Sequence, residues 1–325
     1  MSNAKITGYG YYVPEKVYDN AYMEQIVETN DEWITQRTGI KERRIAKDNE
    51  YTSDMATEAA RMALEDAHLA TEALDLIIVA TITADYHTPS CACVVQKNIG
   101  AAHAAAFDIN AACSGFVTAL AIAKQFIENG TYQKILIIGA DTLSKITDYK
   151  DRGTCILFGD AAGAAVLEAS AEPGVMAVDI GANGADGMKL TSLDLKADAE
   201  ETEKRVGKDA SKIFMAGAEV MKFAVKIMAE AASKVVAEAG LTMDDIALIV
   251  PHQANTRIIY GASKRMGISD DKVFVNIQKY GNTSGASIPV ALYEAVKSGR
   301  AKPGDKIVLV GFGGGLTWGA AVLQV

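Results

Sequence analysis

One order of secondary-structure elements runs through this chain twice. In the first pass, hydrophobic periodicity predicts a helix over 52–68, an apolar strand over 74–81, a short helix over 90–98, a strand over 107–109, an Ala-rich helix from Ser114 and a strand over 134–140. In the second pass it predicts a helix over 212–239, a strand over 246–250, a helix over 255–266, a strand over 273–275, a helix over 283–296 and a strand over 306–310. A chain that repeats its element order implies a duplicated α/β fold with pseudo-twofold symmetry, divided here into halves 1–173 and 174–325. Strands that are apolar throughout and alternate with helices imply parallel sheet covered on both faces. Further strands are expected over 6–12, 155–158, 161–168 and 174–180, and the polar stretch 182–210 reads as a linker with surface excursions.

In such sheets ligands bind beyond the C-terminal strand ends, so the residues there are the candidates for chemistry. Cys113 lies where the 107–109 strand hands over to a helix, among Ala111, Ala112 and Gly115. Free N–H groups of the helix start favour thiolate over thiol, an arrangement that lowers a cysteine pKa from about 8.5 and makes a nucleophile. The bland alternative is an inert buried cysteine. Strand 246–250 ends in Pro251-His252-Gln253-Ala254-Asn255, and strand 273–275 leads to Tyr280-Gly-Asn282-Thr-Ser-Gly285. By the repeat, Asn282 is expected at the position that Cys113 holds in its own half. The pseudo-twofold axis would then bring Cys113, His252 and Asn282 to one pocket.

Composition removes several classes. A net charge of −9 argues against nucleic-acid binding. No apolar run reaches the roughly 18 residues of a membrane helix, and the first residues lack the features of a signal peptide, so the expectation is a cytoplasmic protein without membrane contact. The four cysteines, at 91, 93, 113 and 155, are too sparse for a disulfide framework. Cys91 and Cys93 lack a second ligand pair at metal spacing, and no metal site is expected. Near the start, Trp33 stands among Arg and Lys residues, where it either stacks on a nucleotide or serves as a packing anchor. Arg257, Lys264 and Arg265 share one face of the 255–266 helix, a dock for an acidic partner or a solvated surface.

The motifs Ala111-Ala-Cys-Ser-Gly115, Pro251-His-Gln-Ala-Asn255, Gly281-Asn-Thr-Ser284 and Gly311-Phe-Gly-Gly-Gly-Leu-Thr-Trp-Gly319, with Asp31-Glu-Trp-Ile and Arg37-Thr-Gly-Ile40, closely resemble those of the β-ketoacyl-acyl carrier protein synthase III family. The resemblance spans nearly the whole chain, and its motifs fall in order. It implies a thiolase-like, duplicated, five-layered αβαβα fold and the initiating condensation of type II fatty acid synthesis. Elongating ketoacyl synthases, with two catalytic histidines, and thiolases, with a second cysteine, differ at the other two catalytic positions.

What the resemblance implies for single residues is specific. Cys113 takes an acyl group from acyl-CoA, most often acetyl-CoA. The N–H groups of Cys113 and Gly314 form the oxyanion hole, and His252 and Asn282 hold the thioester oxygen of malonyl-acyl carrier protein during decarboxylation. Trp33 and Arg152 match positions that sandwich the adenine of coenzyme A, and Arg37 one that meets its phosphate. Lys222, with Arg257, Lys264 and Arg265, resembles the carrier-protein dock, and Thr88 and Phe312 belong to the acyl pocket. No cofactor is implied, and a homodimer is. Two positions depart from the family pattern: Thr88 stands where acetyl-restricted members often carry a Phe, and Ala218 where an Asn often contacts the pantetheine arm.

Overall fold

A computed structural model of the chain describes residues 2–192 and 211–325. The strands of its first part are β1 (Asn3–Tyr12), β2 (Lys16–Asp19), β3 (Glu42–Ile45), β4 (Leu76–Ala80), β5 (Ala105–Ile109), β6 (Lys134–Thr142) and β7 (Asp160–Ser170). Those that follow are β8 (Val175–Gly187), β9 (Leu190–Thr191), β10 (Phe214–Met215), β11 (Leu248–Pro251), β12 (Lys306–Gly313) and β13 (Gly315–Gln324). Among the described residues one large sheet has the order β1-β7-β6-β4-β5 and a second β11-β12-β13-β8, while β2-β3 and β10-β9 form two-stranded pairs. Read from the β1 and β8 edges, both sheets place the first strand of the set beside its last. The fifth position of the second sheet is filled by a bridge alone, Val273 beside Ile249, rather than by the expected strand over 273–275.

Five layers result, and the apolar pattern of the strands accounts for them. Along β4, Leu76 and Ile78 face the central layer while Ile77 and Val79 face an outer one; along β12, Ile307 and Leu309 face the centre and Val308 and Val310 the outside. Side chains alternate with a period of two, so a strand buried on both faces must be apolar at every position. The central layer holds the helices Gly115–Glu128 and Ser287–Lys297, whose Phe116, Leu120, Ile288 and Leu292 touch both sheets' inner faces. Helices Thr52–Asp66 and Cys91–Ile99 cover the first sheet, and Gly217–Glu238 and Thr256–Met266 the second.

Residue-level pseudosymmetry corrects the expected register. Leu76, Asn110, Ala112 and Lys134 match Leu248, Asn282, Ser284 and Lys306 at an unvarying offset. Ala112 and Ser284 both open a tight turn with positive φ, 45° and 49°. A Cβ at Gly139 would lie 2.1 Å from the Gly285 carbonyl oxygen, and one at Gly311 would lie 3.5 Å from that of Cys113. The counterpart of Cys113 is therefore Gly285, and that of Asn282 is Asn110. The second half thus has glycine where the first has Cys113, and each half carries an asparagine three positions before that residue.

Other expectations fail for local reasons. The sheets are mixed rather than parallel, because β7 and β13 run antiparallel to both their neighbours. The segment 155–158 is not a strand: Asp151 caps the short helix Arg152–Cys155, and Phe158 makes a single bridge to Asn282. The helix expected over 212–239 begins only at Gly217, after β10. Within the stretch read as a linker, 182–187 extends β8 and 190–191 forms β9, while 193–210 lies outside the described residues. Among the described residues no helix is long and apolar enough to cross a membrane, and no cluster of metal-ligating side chains occurs.

Candidate active site

Chain segments from both halves line one cavity of about 1670 Å³, and Cys113, His252 and Asn282 all stand in its wall. Cys113 is the second residue of the turn Ala112–Ser114 that runs into the central helix Gly115–Glu128. The Ala112 φ of 45° is a left-handed conformation that costs a non-glycine residue about 1 kcal/mol. Its neighbours hold it there: the hydroxyls of Ser114 and Thr317 lie 2.8 and 3.0 Å from the Ala111 carbonyl oxygen. From the other half, Gly313 packs so closely that a Cβ would lie 2.6 Å from the Cys113 nitrogen. Only glycine admits that approach.

The thiol does not have the low pKa expected from its helix start. Burial pushes it up to about 12, against the Ser284 hydroxyl, which lies 3.4 Å from Sγ and favours the thiolate. Cys113 is 8% exposed, and loss of solvation outweighs the helix terminus. Burial acts on His252 in the opposite sense, taking its pKa down to about 3, so the ring is neutral at neutral pH. At neutral pH the cavity wall thus carries an uncharged thiol and an uncharged imidazole.

His252 follows β11, its N–H donating to Val310 O at 2.8 Å. Nδ1 lies 2.6 Å from Ser287 Oγ, which leaves Nε2 as the ring nitrogen open to a ligand. Gln253 stiffens this strand end: its Nε2 donates to Pro251 O and Phe274 O, and its Oε1 accepts from the N–H groups of Asn276 and Ile277. Asn282 Oδ1 accepts from Ser284 N at 2.9 Å, committing the oxygen and directing the Nδ2 donor away from it. Asn110 makes the same link, longer, to Ala112 N at 3.4 Å. Asp141, buried at the end of β6, accepts from Thr81 Oγ1, Ile82 N and Thr83 Oγ1 on one oxygen and from Gly285 N on the other. One carboxylate therefore ties the 81–83 loop to the turn that carries Ser284.

Models of the 3-oxoacyl-[acyl-carrier-protein] synthase III family match residues 107–184, and those of its C-terminal part residues 236–325. The chain is 52% identical over 322 residues to the β-ketoacyl-[acyl-carrier-protein] synthase III of Caldanaerobacter subterraneus subsp. tengcongensis, covering 99% of this chain and 97% of that protein. The chain belongs to the β-ketoacyl-[acyl-carrier-protein] synthase III family. It is an acyltransferase of the condensing-enzyme class, acting in the initiating condensation of fatty acid synthesis. The crystal structure of the synthase III from Aquifex aeolicus VF5 matches with a TM-score of 0.93 and 47% identity over 99% of this chain and all of that one. The priming β-ketosynthase of the R1128 polyketide pathway matches with a TM-score of 0.92 and 34% identity, over 99% of this chain and 96% of that one.

Of the remaining sequence candidates, some line the same cavity and others do not. Gly314, Phe312 and Thr88 line it, and the Phe312 ring meets the His252 ring at 5.5 Å. Trp33 and Arg37 also line it. The guanidinium groups of Arg37 and Arg152 each lie 4.9 Å from the Trp33 ring centroid, and Arg152 donates to Glu28 O. Ala218 is in the wall, and Arg257 stands there exposed. Helices Gly217–Glu238 and Thr256–Met266 cross where Gly261 meets Val225. Lys222 and Arg257 lie on the N-terminal side of that crossing. Lys264 and Arg265 lie about 10 Å further along their helix, and Arg265 sits 3.6 Å from Glu230. Of these four basic residues, Arg257 alone stands in the cavity wall. Ser284, Ser287 and Asp141 went unmarked in the sequence, although the shared offset of Asn110-Ala-Ala-Cys113 and Asn282-Thr-Ser-Gly285 was a readable signal for the first.

Proposed function

We propose that this synthase transfers an acyl group from acyl-CoA to Cys113 and condenses it with malonyl-acyl carrier protein, releasing carbon dioxide and giving a 3-oxoacyl-acyl carrier protein. The observation that carries this reading is the convergence of Cys113, His252 and Asn282 on one cavity, Cys113 from the turn after β5, His252 from the end of β11 and Asn282 from the segment after the short helix Ile277–Tyr280. In the first half-reaction Cys113 sulfur attacks the thioester carbonyl, and the N–H groups of Cys113 and Gly314 stabilise the oxyanion; one such donor is typically worth about 3 kcal/mol. Coenzyme A leaves carrying the thiol proton. In the second, the thioester oxygen of the malonyl group takes hydrogen bonds from His252 and Asn282 as the carboxylate departs. Gln253 N donates to Ser287 Oγ at 3.3 Å, which directs the hydroxyl proton toward His252 Nδ1 and makes Nε2–H the donor. The enolate attacks the acyl group on Cys113, whose sulfur leaves and takes up a proton. Two neutral donors serve an anionic intermediate without metal or organic cofactor.

Trp33 and Arg152 hold the adenine and Arg37 meets a phosphate of coenzyme A; Arg152, stacked on the indole, swings aside to admit the base. Lys222, Arg257, Lys264 and Arg265 guide the acidic carrier protein along the two outer helices. Thr88 and Phe312 shape the acyl end. The halves 1–173 and 174–325 act as one catalytic unit, and the enzyme works as a cytoplasmic homodimer. Its four unpaired cysteines suit a reducing compartment, and β5, at the end of its sheet, suits pairing between copies.

A second reading has its own support. The cavity exceeds the several hundred cubic ångströms of an ordinary small-molecule site, and Thr88 leaves its acyl end less obstructed than a Phe would. On that reading the primer is longer or branched and the pathway a secondary one. Product analysis with malonyl-acyl carrier protein and a panel of acetyl-, isobutyryl- and octanoyl-CoA decides. A 3-oxoacyl product from acetyl-CoA supports initiation with a short primer; turnover of the longer primers alone moves the enzyme to the second reading, and no condensation product from any primer rejects both.

A further inference from the structure

Arg43 is a fully buried cation whose partners are all neutral. It is 1% exposed and the bulkiest of the fully buried side chains. Nη1 donates to Tyr18 O and to Asn20 Oδ1, both at 3.0 Å, Nη2 donates to Ile156 O at 2.6 Å, and Nε has no partner. Burial lowers its pKa to about 10, which still leaves it charged at neutral pH. A buried charge with an unsatisfied donor is costly, and an apolar side chain of similar volume is often cheaper. The geometry beyond Ile156 gives a reason for the expense. Leu157 O accepts the Asn282 N–H at 2.8 Å, and Gly159 N donates to Asn282 O at 3.0 Å, so the 156–159 segment grips the Asn282 backbone from both sides. Arg43 also fills the space against both glycines of this grip: its Cβ would lie 3.1 Å from a Cβ at Gly159 and 3.3 Å from one at Gly281.

We infer that Arg43 is a positioning residue for decarboxylation: its planar fork fixes the Ile156 carbonyl, which sets the 156–159 segment and through it the backbone that carries the Asn282 amide. This inference rests on the role given to Asn282 above. The Cys113 backbone is anchored elsewhere, by Ser114, Thr317 and Gly313, and its thiol meets the Asn282 turn through the 3.4 Å contact with Ser284 Oγ, so acyl loading depends on Arg43 far less than decarboxylation does. The other arm reaches Asn20, whose Nδ2 donates to Asp31 Oδ1 and Ile40 O beside the helix that bears Trp33; loading is therefore read at saturating acyl-CoA.

The test compares full-length Arg43→Lys, Arg43→Gln and Asn282→Ala enzymes in two assays, single-turnover acylation of Cys113 by saturating acetyl-CoA and release of carbon dioxide from malonyl-acyl carrier protein. Lysine keeps the charge and loses the fork, and it carries the test if the glutamine variant does not fold. Expected for Arg43→Lys is acylation within about threefold of the parent, decarboxylation kcat lower by about tenfold or more with KM little changed, and no further loss when combined with Asn282→Ala. Equal losses in both assays, or decarboxylation at the parent rate while Asn282→Ala is impaired, would overturn the role of Arg43 alone. An Asn282→Ala enzyme that decarboxylates normally would overturn the assignment of Asn282, and that of Arg43 with it.

Discussion

At Cys113 and His252 the same physical effect acts on two groups with opposite signs. Burial favours the neutral form of each, raising the thiol to about 12 and lowering the imidazole to about 3. The thiolate fraction of the free enzyme then increases with pH across the whole neutral range, about tenfold per unit, because the pKa lies above it. Alkylation of Cys113 by iodoacetamide is accordingly expected to accelerate steadily from pH 6 to about pH 9 without levelling. A plateau with a midpoint near pH 6–7 would reveal a thiolate–imidazolium pair and refute this description. The sequence marked the three side chains that face the cavity because each was expected after a strand, which holds for Cys113 after β5 and His252 after β11 but not for Asn282, which follows the short helix Ile277–Tyr280. It did not mark Ser284 or Ser287, whose roles come from contacts across a turn or a helix start that residue type alone does not reveal.

Among elements, legibility followed burial. Strands β4, β6, β11 and β12 were readable because both faces are covered and their apolar runs are uninterrupted. The segments 155–158 and 273–275 were misread because each is a short apolar stretch held by single bridges, and propensity does not distinguish that from a strand. The register of the second turn was misassigned for a different reason: Asn282 attracts notice as a polar residue, whereas its duplicate's true match to Cys113, Gly285, has no side chain to notice. The helix Thr256–Met266 was legible in extent and face, with Ile258, Ile259 and Ala262 buried and Arg257, Lys264 and Arg265 exposed. Because Arg257 stands at the cavity wall and Arg265 is turned toward Glu230, charge reversal is expected to have its largest effect at Arg257 if this face docks the carrier protein as proposed. Arg257→Glu is expected to raise the apparent KM for malonyl-acyl carrier protein by about tenfold and to leave acetyl-CoA loading intact. Equal impairment of both substrates would remove docking as its role.

The whole molecule is a division of labour between two copies of one fold. The first copy keeps a sulfur on its turn; the second has glycine there and supplies His252 from the matching strand end, Asn282 from before its turn, and Gly313 against the Cys113 nitrogen. The central layer, where the helices Gly115–Glu128 and Ser287–Lys297 pack in one buried core with both sheets, joins these parts. On the proposed roles of these residues, the two half-reactions are separable. The most direct measurement is of both in one set of variants, Cys113→Ala, His252→Ala and Asn282→Ala, with acyl transfer from acetyl-CoA and carbon dioxide release from malonyl-acyl carrier protein followed side by side. The expected result is a Cys113→Ala enzyme that still releases carbon dioxide but never becomes acylated, and His252 and Asn282 variants that acylate Cys113 yet lose decarboxylation by about a hundredfold or more. Acylation and decarboxylation falling together in all three variants would contradict it.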